Sequence, residues 1–267
     1  MLVLGFGTAS CSLLTSLDGL TNGTAANASD GGDAVATNDG GASESGVGAD
    51  AATAEGGDAA SDPLCAGAVF CDRFERAAVL GGWAATFVNG GGTIDLDTST
   101  FTSPVKSLVI RVPTAGDARA GLGSNDYPNV AHVRVAFAMK TALPSRQLAL
   151  SRVTLEASGT KRVLDLYMTT GGLMLEEQGF FDGGTSVDYP VTTGFKPDEW
   201  QRWTIELDAT ANPPLGVLTL DGVEKVRTPL ISGFVRGTLN VSLGTFYAPS
   251  GPARDVWYDD VSVTLLP

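Results

Sequence analysis

Three stretches of the chain alternate strictly between apolar and polar or small positions. Val133, Val135, Phe137 and Met139 alternate with His132, Arg134, Ala136 and Ala138. Trp203, Ile205 and Leu207 alternate with Arg202, Thr204, Glu206 and Asp208, and Val261, Val263 and Leu265 with Asp260, Ser262 and Thr264. Successive side chains of a strand point to opposite faces, so a period of two predicts strands buried on one face. Further strands are predicted at Thr93–Asp97, Ser107–Val112, Leu148–Ala157, Arg162–Thr169, Leu173–Gln178, Gly216–Leu220 and Gly237–Phe246. Ser158-Gly159, Gly171-Gly172, Gly183-Gly184, Pro213-Pro214 and Asp221-Gly222 supply turns between strands. No helical period persists beyond about two turns. Many short strands without intervening helices predict an all-β fold, an antiparallel β-sandwich or jelly roll, because parallel neighbours need crossover connections.

This texture begins only at Leu64. Thr21–Pro63 holds 12 Ala, 9 Gly and 8 acidic residues, with no aromatic residue and no Leu, Ile or Met. Such a segment cannot bury enough apolar surface to offset its ordering entropy, so it is expected to be disordered. The expected organisation is a signal-like segment over 1–11, a disordered acidic low-complexity linker over 12–63, and a β-sandwich domain over 64–267. A Gly/Ala-rich linker of that length reaches on the order of 40 Å, and its like charges extend it further.

The linker also carries most of the charge. Nine acids precede Leu64 and the first basic residue is Arg73, so −9 of the net −13 lies ahead of the domain. The remaining 21 acids and 17 bases leave the domain at −4 with no basic stripe, which argues against nucleic acid as a partner. No run of the roughly 20 apolar residues needed to span a bilayer occurs.

The three cysteines divide into a pair and a singleton. Cys11 follows the apolar run Leu2-Val3-Leu4-Gly5-Phe6-Gly7 and the residues Thr8-Ala9-Ser10. The arrangement resembles the end of a bacterial lipoprotein signal peptide, although Thr8 stands where leucine is usual and no basic residue precedes the run. The resemblance implies lipidation at Cys11 and an exported protein held to the membrane by a lipid anchor, at the outer membrane or cell surface. Export to an oxidising compartment predicts a disulfide between Cys65 and Cys71, which close a short loop at the start of the domain.

Three motifs carry a second resemblance. Phe70-Cys71-Asp72-Arg73-Phe74-Glu75 is followed by Gly82-Trp83. Glu199-Trp200-Gln201-Arg202-Trp203-Thr204-Ile205-Glu206-Leu207-Asp208 is followed by Gly216 to Val223, which includes Asp221-Gly222. The third motif is Trp257-Tyr258-Asp259-Asp260-Val261-Ser262-Val263. In order and spacing they resemble concanavalin A-like lectin/glucanase sandwiches, including laminin-G-like modules, over Phe70 to Leu265. That resemblance implies that the first and last strands lie side by side.

It also frames the candidate chemistry. Glucanases of this superfamily carry Glu-x-Asp followed by a further Glu on one strand. Here Glu206-Leu207-Asp208 begins the pattern, but Ala209-Thr210-Ala211 follows and no second Glu completes it. No catalytic residue is assigned. The lyase branch uses a tyrosine with a histidine, arginine or glutamine. His132 is the one histidine, and Arg134 shares its strand face. Calcium is expected where the chain ends meet, through Glu75 and Asp260, with Asp72 and Asp259 as the other carboxylates there. Sugar binding needs aromatic platforms and planar polar groups, for which Tyr167, Tyr189, Tyr247, Trp257 and Tyr258 are the candidates, joined by His132 and Arg134. Trp83, Trp200 and Trp203 are assigned to the core. The sequence thus points to a surface module that binds a polysaccharide or other glycan. A protein-contacting adhesive module and a divergent polysaccharide hydrolase or lyase are the alternatives.

Overall fold

The computed structural model describes residues 63–267 apart from 115, 144, 180–185 and 232. Cys11, the 1–11 segment and all of the 12–63 linker except Pro63 lie outside the described residues. The chain forms the strands β1 (Phe70–Asp72), β2 (Ala85–Asn89), β3 (Thr93–Asp97), β4 (Ser107–Val112), β5 (Arg119–Gly123), β6 (Tyr127–Val130), β7 (His132–Thr141) and β8 (Leu148–Ala157). It continues with β9 (Thr160–Thr169), β10 (Gly172–Gly179), β11 (Val187–Val191), β12 (Gln201–Asp208), β13 (Leu215–Leu220), β14 (Val223–Pro229), β15 (Gly237–Thr245) and β16 (Arg254–Leu265). No helix occurs among the described residues.

The strands build two eight-stranded sheets. One runs β14-β13-β12-β7-β16-β4-β3, with β1 also paired to β16; the other runs β11-β10-β9-β8-β15-β5-β2, with β6 also paired to β15. Every pairing is antiparallel. Phe70 lies opposite Val263, so the first and last strands meet as the resemblance implies.

The alternation seen in the sequence fills the space between the sheets. Val133, Val135 and Phe137 of β7 and Trp203, Ile205 and Leu207 of β12 are all fully buried, in one cluster with Leu164 and Leu166 of β9 and Val241 and Leu243 of β15. Each such side chain contributes about 1.5–3 kcal/mol by leaving water. Two predicted turns adopt the positive φ values that two-residue hairpins require: Ser158 and Gly159 at 52° and 75°, and Asp221 and Gly222 at 51° and 76°. β5 was not expected, because Arg-Ala-Gly-Leu-Gly reads as a turn. Gly121 is needed for close approach: a β-carbon there would run into the Phe87 ring and the Leu243 carbonyl.

One bulge corrects the sequence reading of the last strand. The pairing of β16 with β7 shifts register between Asp259 and Ser262, and Asp260 has a φ of 51°. The extra residue inverts the alternation. Val256 and Tyr258 therefore point inward with Val261 and Val263, and all four are fully buried. The Tyr258 hydroxyl donates to the Leu150 carbonyl at 2.7 Å. Tyr258 is a core residue and offers no ring to a ligand. Trp83 and Trp203 are buried as expected, but Trp200 is only half-buried and donates its indole N–H to the Thr100 hydroxyl at 3.2 Å.

The expected disulfide is present. Cys65 and Cys71 are bridged with their Cα atoms 5.4 Å apart. Because Cys71 lies in β1, opposite Ser262, the bridge ties the entering chain to the first sheet.

Candidate functional site

The outer face of the second sheet gathers the polar and aromatic groups that the core does not need. Its strands are in register across the sheet: Glu176 lies opposite Asp165, Asp165 opposite Arg152, Arg152 opposite Ser242, and Ser242 opposite Gly123. Side chains in one cross-strand row contact one another. Arg152 grips Asp165 with two hydrogen bonds, Nε to Oδ1 at 3.0 Å and a terminal nitrogen to Oδ2 at 2.7 Å. The Asp165 side chain is 0% exposed and that of Arg152 23% exposed, so the arginine lies over the carboxylate and forms part of the surface. Gln178, two residues beyond Glu176 on β10, donates its amide to the Glu176 carboxylate at 2.7 Å.

Aromatic rings flank this row. Tyr167 lies opposite Ala149, and the Ala149 N–H donates to the Tyr247 carbonyl at 3.3 Å. The rings of Tyr167 and Tyr247 consequently stack, with centroids 6.4 Å apart and planes 24° apart, and Tyr247 is 45% exposed. Phe246 sits 5.0 Å from Phe87, and the Arg152 guanidinium lies 5.0 Å from the centre of the Phe246 ring. Gly121 and Gly123 of β5 carry no side chain above the sheet.

Burial and charge fix the protonation states here. Burial lifts the Asp165 carboxyl above the ordinary carboxylate range, against the pull of Arg152. Burial also weakens the Arg152 guanidinium, but the charge and hydrogen bonds of Asp165 together with the charge of Glu176 outweigh it and hold Arg152 above its ordinary value. Glu176 is raised by burial and by the neighbouring charges of Asp165 and Asp188, although Gln178 and Ser186 donate to it. Tyr167 is raised well above the ordinary phenol value, by burial and then by the charge of Glu176. It is therefore a protonated hydrogen-bond donor at neutral pH.

On this face the structure brings together two of the residues singled out from the sequence, Tyr167 and Tyr247. Tyr189 lies on β11, packs against the core and donates its hydroxyl to the buried Glu177 carboxylate at 3.0 Å. Trp257, His132 and Arg134 belong to the other sheet. Trp257 donates to Asp97 at 2.7 Å and lies under the Lys140 ammonium, 5.5 Å from its ring centre. His132 Nε2 is 3.1 Å from Glu206, whose second oxygen accepts from Arg134 at 2.8 Å. Despite partial burial, these donors and their charges hold Glu206 below its ordinary range. Asp208 accepts from the backbone and hydroxyl of Thr210 at 2.8 and 2.6 Å, which fixes it in a turn. The sequence reading sets Glu176 aside and does not pick out Arg152, Asp165, Gln178, Phe87 or Phe246.

The calcium ligands were expected where β1 and β16 meet. Asp72 accepts from the Trp83 indole at 2.6 Å, the Phe74 N–H at 2.8 Å and Arg76. Asp259 accepts from the Thr102 and Ser103 N–H groups at 2.8 and 3.0 Å. Those two carboxylates are taken up by protein donors; Asp260 accepts from the Thr102 hydroxyl at 3.1 Å and lies 3.8 Å from the Arg73 guanidinium, and Glu75 is the other expected ligand. Calcium takes roughly 6–8 oxygen ligands, so these two residues would need several carbonyl or water oxygens beside them. No group of three or more His, Cys, Asp or Glu residues is placed to hold a metal among the described residues.

No family model matches the chain, and a search of curated proteins finds no match either. Solved structures do match. An endo-β-1,4-glucuronan lyase from the fungus Trichoderma reesei superposes with a TM-score of 0.60 at 15% identity, over 74% of this chain and 96% of that one. The cellulose induced protein Cip1 gives a TM-score of 0.55 at 19% identity, over 73% of this chain and 96% of that one. The ligand-binding domain of botulinum neurotoxin serotype D, in complex with N-acetylneuraminic acid, gives 0.50 at 15% identity, over 75% of this chain and 48% of that one. With two packed antiparallel sheets and the first strand paired to the last, the domain has the fold of the concanavalin A-like β-sandwiches.

Proposed function

We propose that the outer face of the second sheet binds a polysaccharide chain and does not cut it. The observation that carries this reading is the row Glu176–Asp165–Arg152 with the ring pairs Tyr167/Tyr247 and Phe87/Phe246 beside it. A pyranose offers an apolar face to an aromatic ring and hydroxyls to planar polar groups, and this surface carries both. Glycan-related names among the fold neighbours agree with it.

The carboxylate at the centre of the face and the one on the Glu206 strand are not placed for cleavage. A retaining hydrolase needs two carboxyl groups about 5–5.5 Å apart, one of them free to attack carbon. Asp165 has both oxygens held by Arg152 and no exposed surface, and Glu206 is tied to Arg134 and His132 on the other sheet. In this reading the module is exported and held at the cell surface through a lipid on Cys11, with the acidic segment as its tether. Palmitate labelling that is lost in Cys11→Ala tests the anchor.

The glycan reading is tested by pulling down the full chain with a panel of insoluble polysaccharides while assaying the supernatant for released ends. Tyr247→Ala removes an exposed ring and should weaken binding by about 1–2 kcal/mol, roughly 5–30-fold. Retention by no polysaccharide, or release of ends by the wild-type protein, overturns the proposal.

A further inference from the structure

The charges on the same face narrow the ligand. Strand alternation places three cations on it, Arg119, Arg152 and Lys161. Each is already matched by a protein carboxylate. Arg152 holds Asp165 at 2.7 Å, Arg119 holds Asp117 at 2.6 Å, and Lys161 lies 3.4 Å from Glu156. Glu176 and Asp188 face each other at the β10–β11 end of the polar row, and among the described residues no cation of this face lies opposite them in the strand register. Glu176 is raised first by burial and then by the charges of Asp165 and Asp188, and those charges would act in the same sense on a carboxylate brought beside it.

We infer that this face takes neutral polysaccharides and rejects polyuronates. The inference rests on the glycan reading above and adds its substrate class. A polyuronate brings a carboxylate on every sugar. On this face such a group meets Glu176 and Asp188, or must compete with Asp165 for an arginine whose charge is already neutralised. Like charges brought together across an interface cost affinity, whereas a hydroxymethyl group at the same position costs none of it. The fold shared with a glucuronan lyase does not carry that enzyme's ligand chemistry with it, because a fold and the site built on it vary independently.

The test compares matched polymers that differ in the carboxylate alone. Full-length protein is titrated with soluble fragments of β-1,4-glucan and β-1,4-glucuronan, of mannan and mannuronan, and of methyl-esterified and de-esterified polygalacturonate. The expected result is that at least one neutral member binds and exceeds its charged partner by at least about tenfold. In the Glu176→Gln/Asp188→Asn variant, shown to be folded by its melting curve, that ratio should shrink severalfold. A charged member that binds as tightly as its neutral partner overturns the selectivity while leaving glycan binding intact. A ratio unchanged in the variant overturns the electrostatic cause. Failure of all six polymers to bind overturns the glycan reading itself.

Discussion

Arg152→Met isolates the centre of the polar row. It removes the guanidinium and leaves Asp165, which is 0% exposed, without its two hydrogen bonds. Removing one partner of a buried ion pair costs about 3–5 kcal/mol, because the stranded charge has neither partner nor water. For a domain of this size about 2–4 °C is lost per kcal/mol, so the melting temperature should fall by about 10 °C. Asp165→Leu should cost less: the Arg152 side chain is 23% exposed, can recruit water and retains its stack on Phe246. The double variant should be more stable than the sum of the single losses by several kcal/mol, since replacing both partners strands no charge. The pH dependence supplies a second readout. In Arg152→Met, burial raises the folded-state value of Asp165 above its unfolded value, so the native state binds the proton more tightly. The penalty then grows as pH rises through that window and vanishes below the unfolded value of about 4. Denaturant melts of the four proteins at several pH values provide the check. Additive losses in the double variant, or Arg152→Met no worse than Asp165→Leu at neutral pH, would refute the assignment of a buried, mutually dependent pair.

Four further outcomes are expected. Glu176→Gln should raise the melting temperature at neutral pH and lose that advantage as pH falls below the ordinary glutamate value, because the native carboxyl is raised and its ionisation opposes folding; a constant difference across pH would contradict the assigned shift. Tyr258→Phe keeps the ring but strips the buried Leu150 carbonyl of its donor, and should cost about 1–3 kcal/mol in a urea melt without changing the fold. Converting Cys65 and Cys71 to serine should cost less than the roughly 3 kcal/mol of a 15-residue loop, since the bridge spans a separation of only six residues and constrains little of the unfolded chain. If calcium is held through Glu75 and Asp260, chelation must lower the melting temperature of calcium-loaded protein and Asp260→Asn must abolish that dependence, because an ion bound by the native state alone stabilises it by mass action.

The strands that show in the sequence are those whose period agrees with their burial. β3, β4 and β8 fall on their predicted bounds, since continuous or alternating apolar runs there enter the core. The strands that do not show are set by their neighbours. β5 is glycine-rich, β6 and β11 contain Pro128 and Pro190, and β14 reads Val-Glu-Lys-Val-Arg at a sheet edge. Their own propensities are poor, and only pairing with a formed sheet makes them strands. Trp257 and Tyr258 were ambiguous for a different reason, because a single extra residue at Asp260 reverses which of the two points inward.

The polar row is a case where more was legible than local pattern reading extracts. A two-residue turn at Ser158-Gly159 fixes the register of the hairpin it closes, so that paired residue numbers add to a constant. Counting outward from Ala157 opposite Thr160 sets Arg152 against Asp165, and the structure has that pairing. The second turn does not carry over in the same way: a turn at Gly171-Gly172 would set Asp165 against Gln178, whereas the chain turns one residue earlier, with Thr169 opposite Gly172, and sets Asp165 against Glu176. One turn signal visible in the sequence therefore aligns the arginine with the first acid, and the second acid depends on where the next hairpin closes. The aromatic flank is different. Tyr167 would fall opposite Leu150 by the same arithmetic, but an irregularity between Ala149 and Ser151 moves its partner to Ala149. The carbonyl of Tyr247 reaches that same residue from the segment just beyond β15, almost a hundred positions away. Hairpin geometry thus carries the charged centre of the face in the sequence itself. The rings that make the face a binding surface depend on a bulge and a long-range pairing, which no local pattern records.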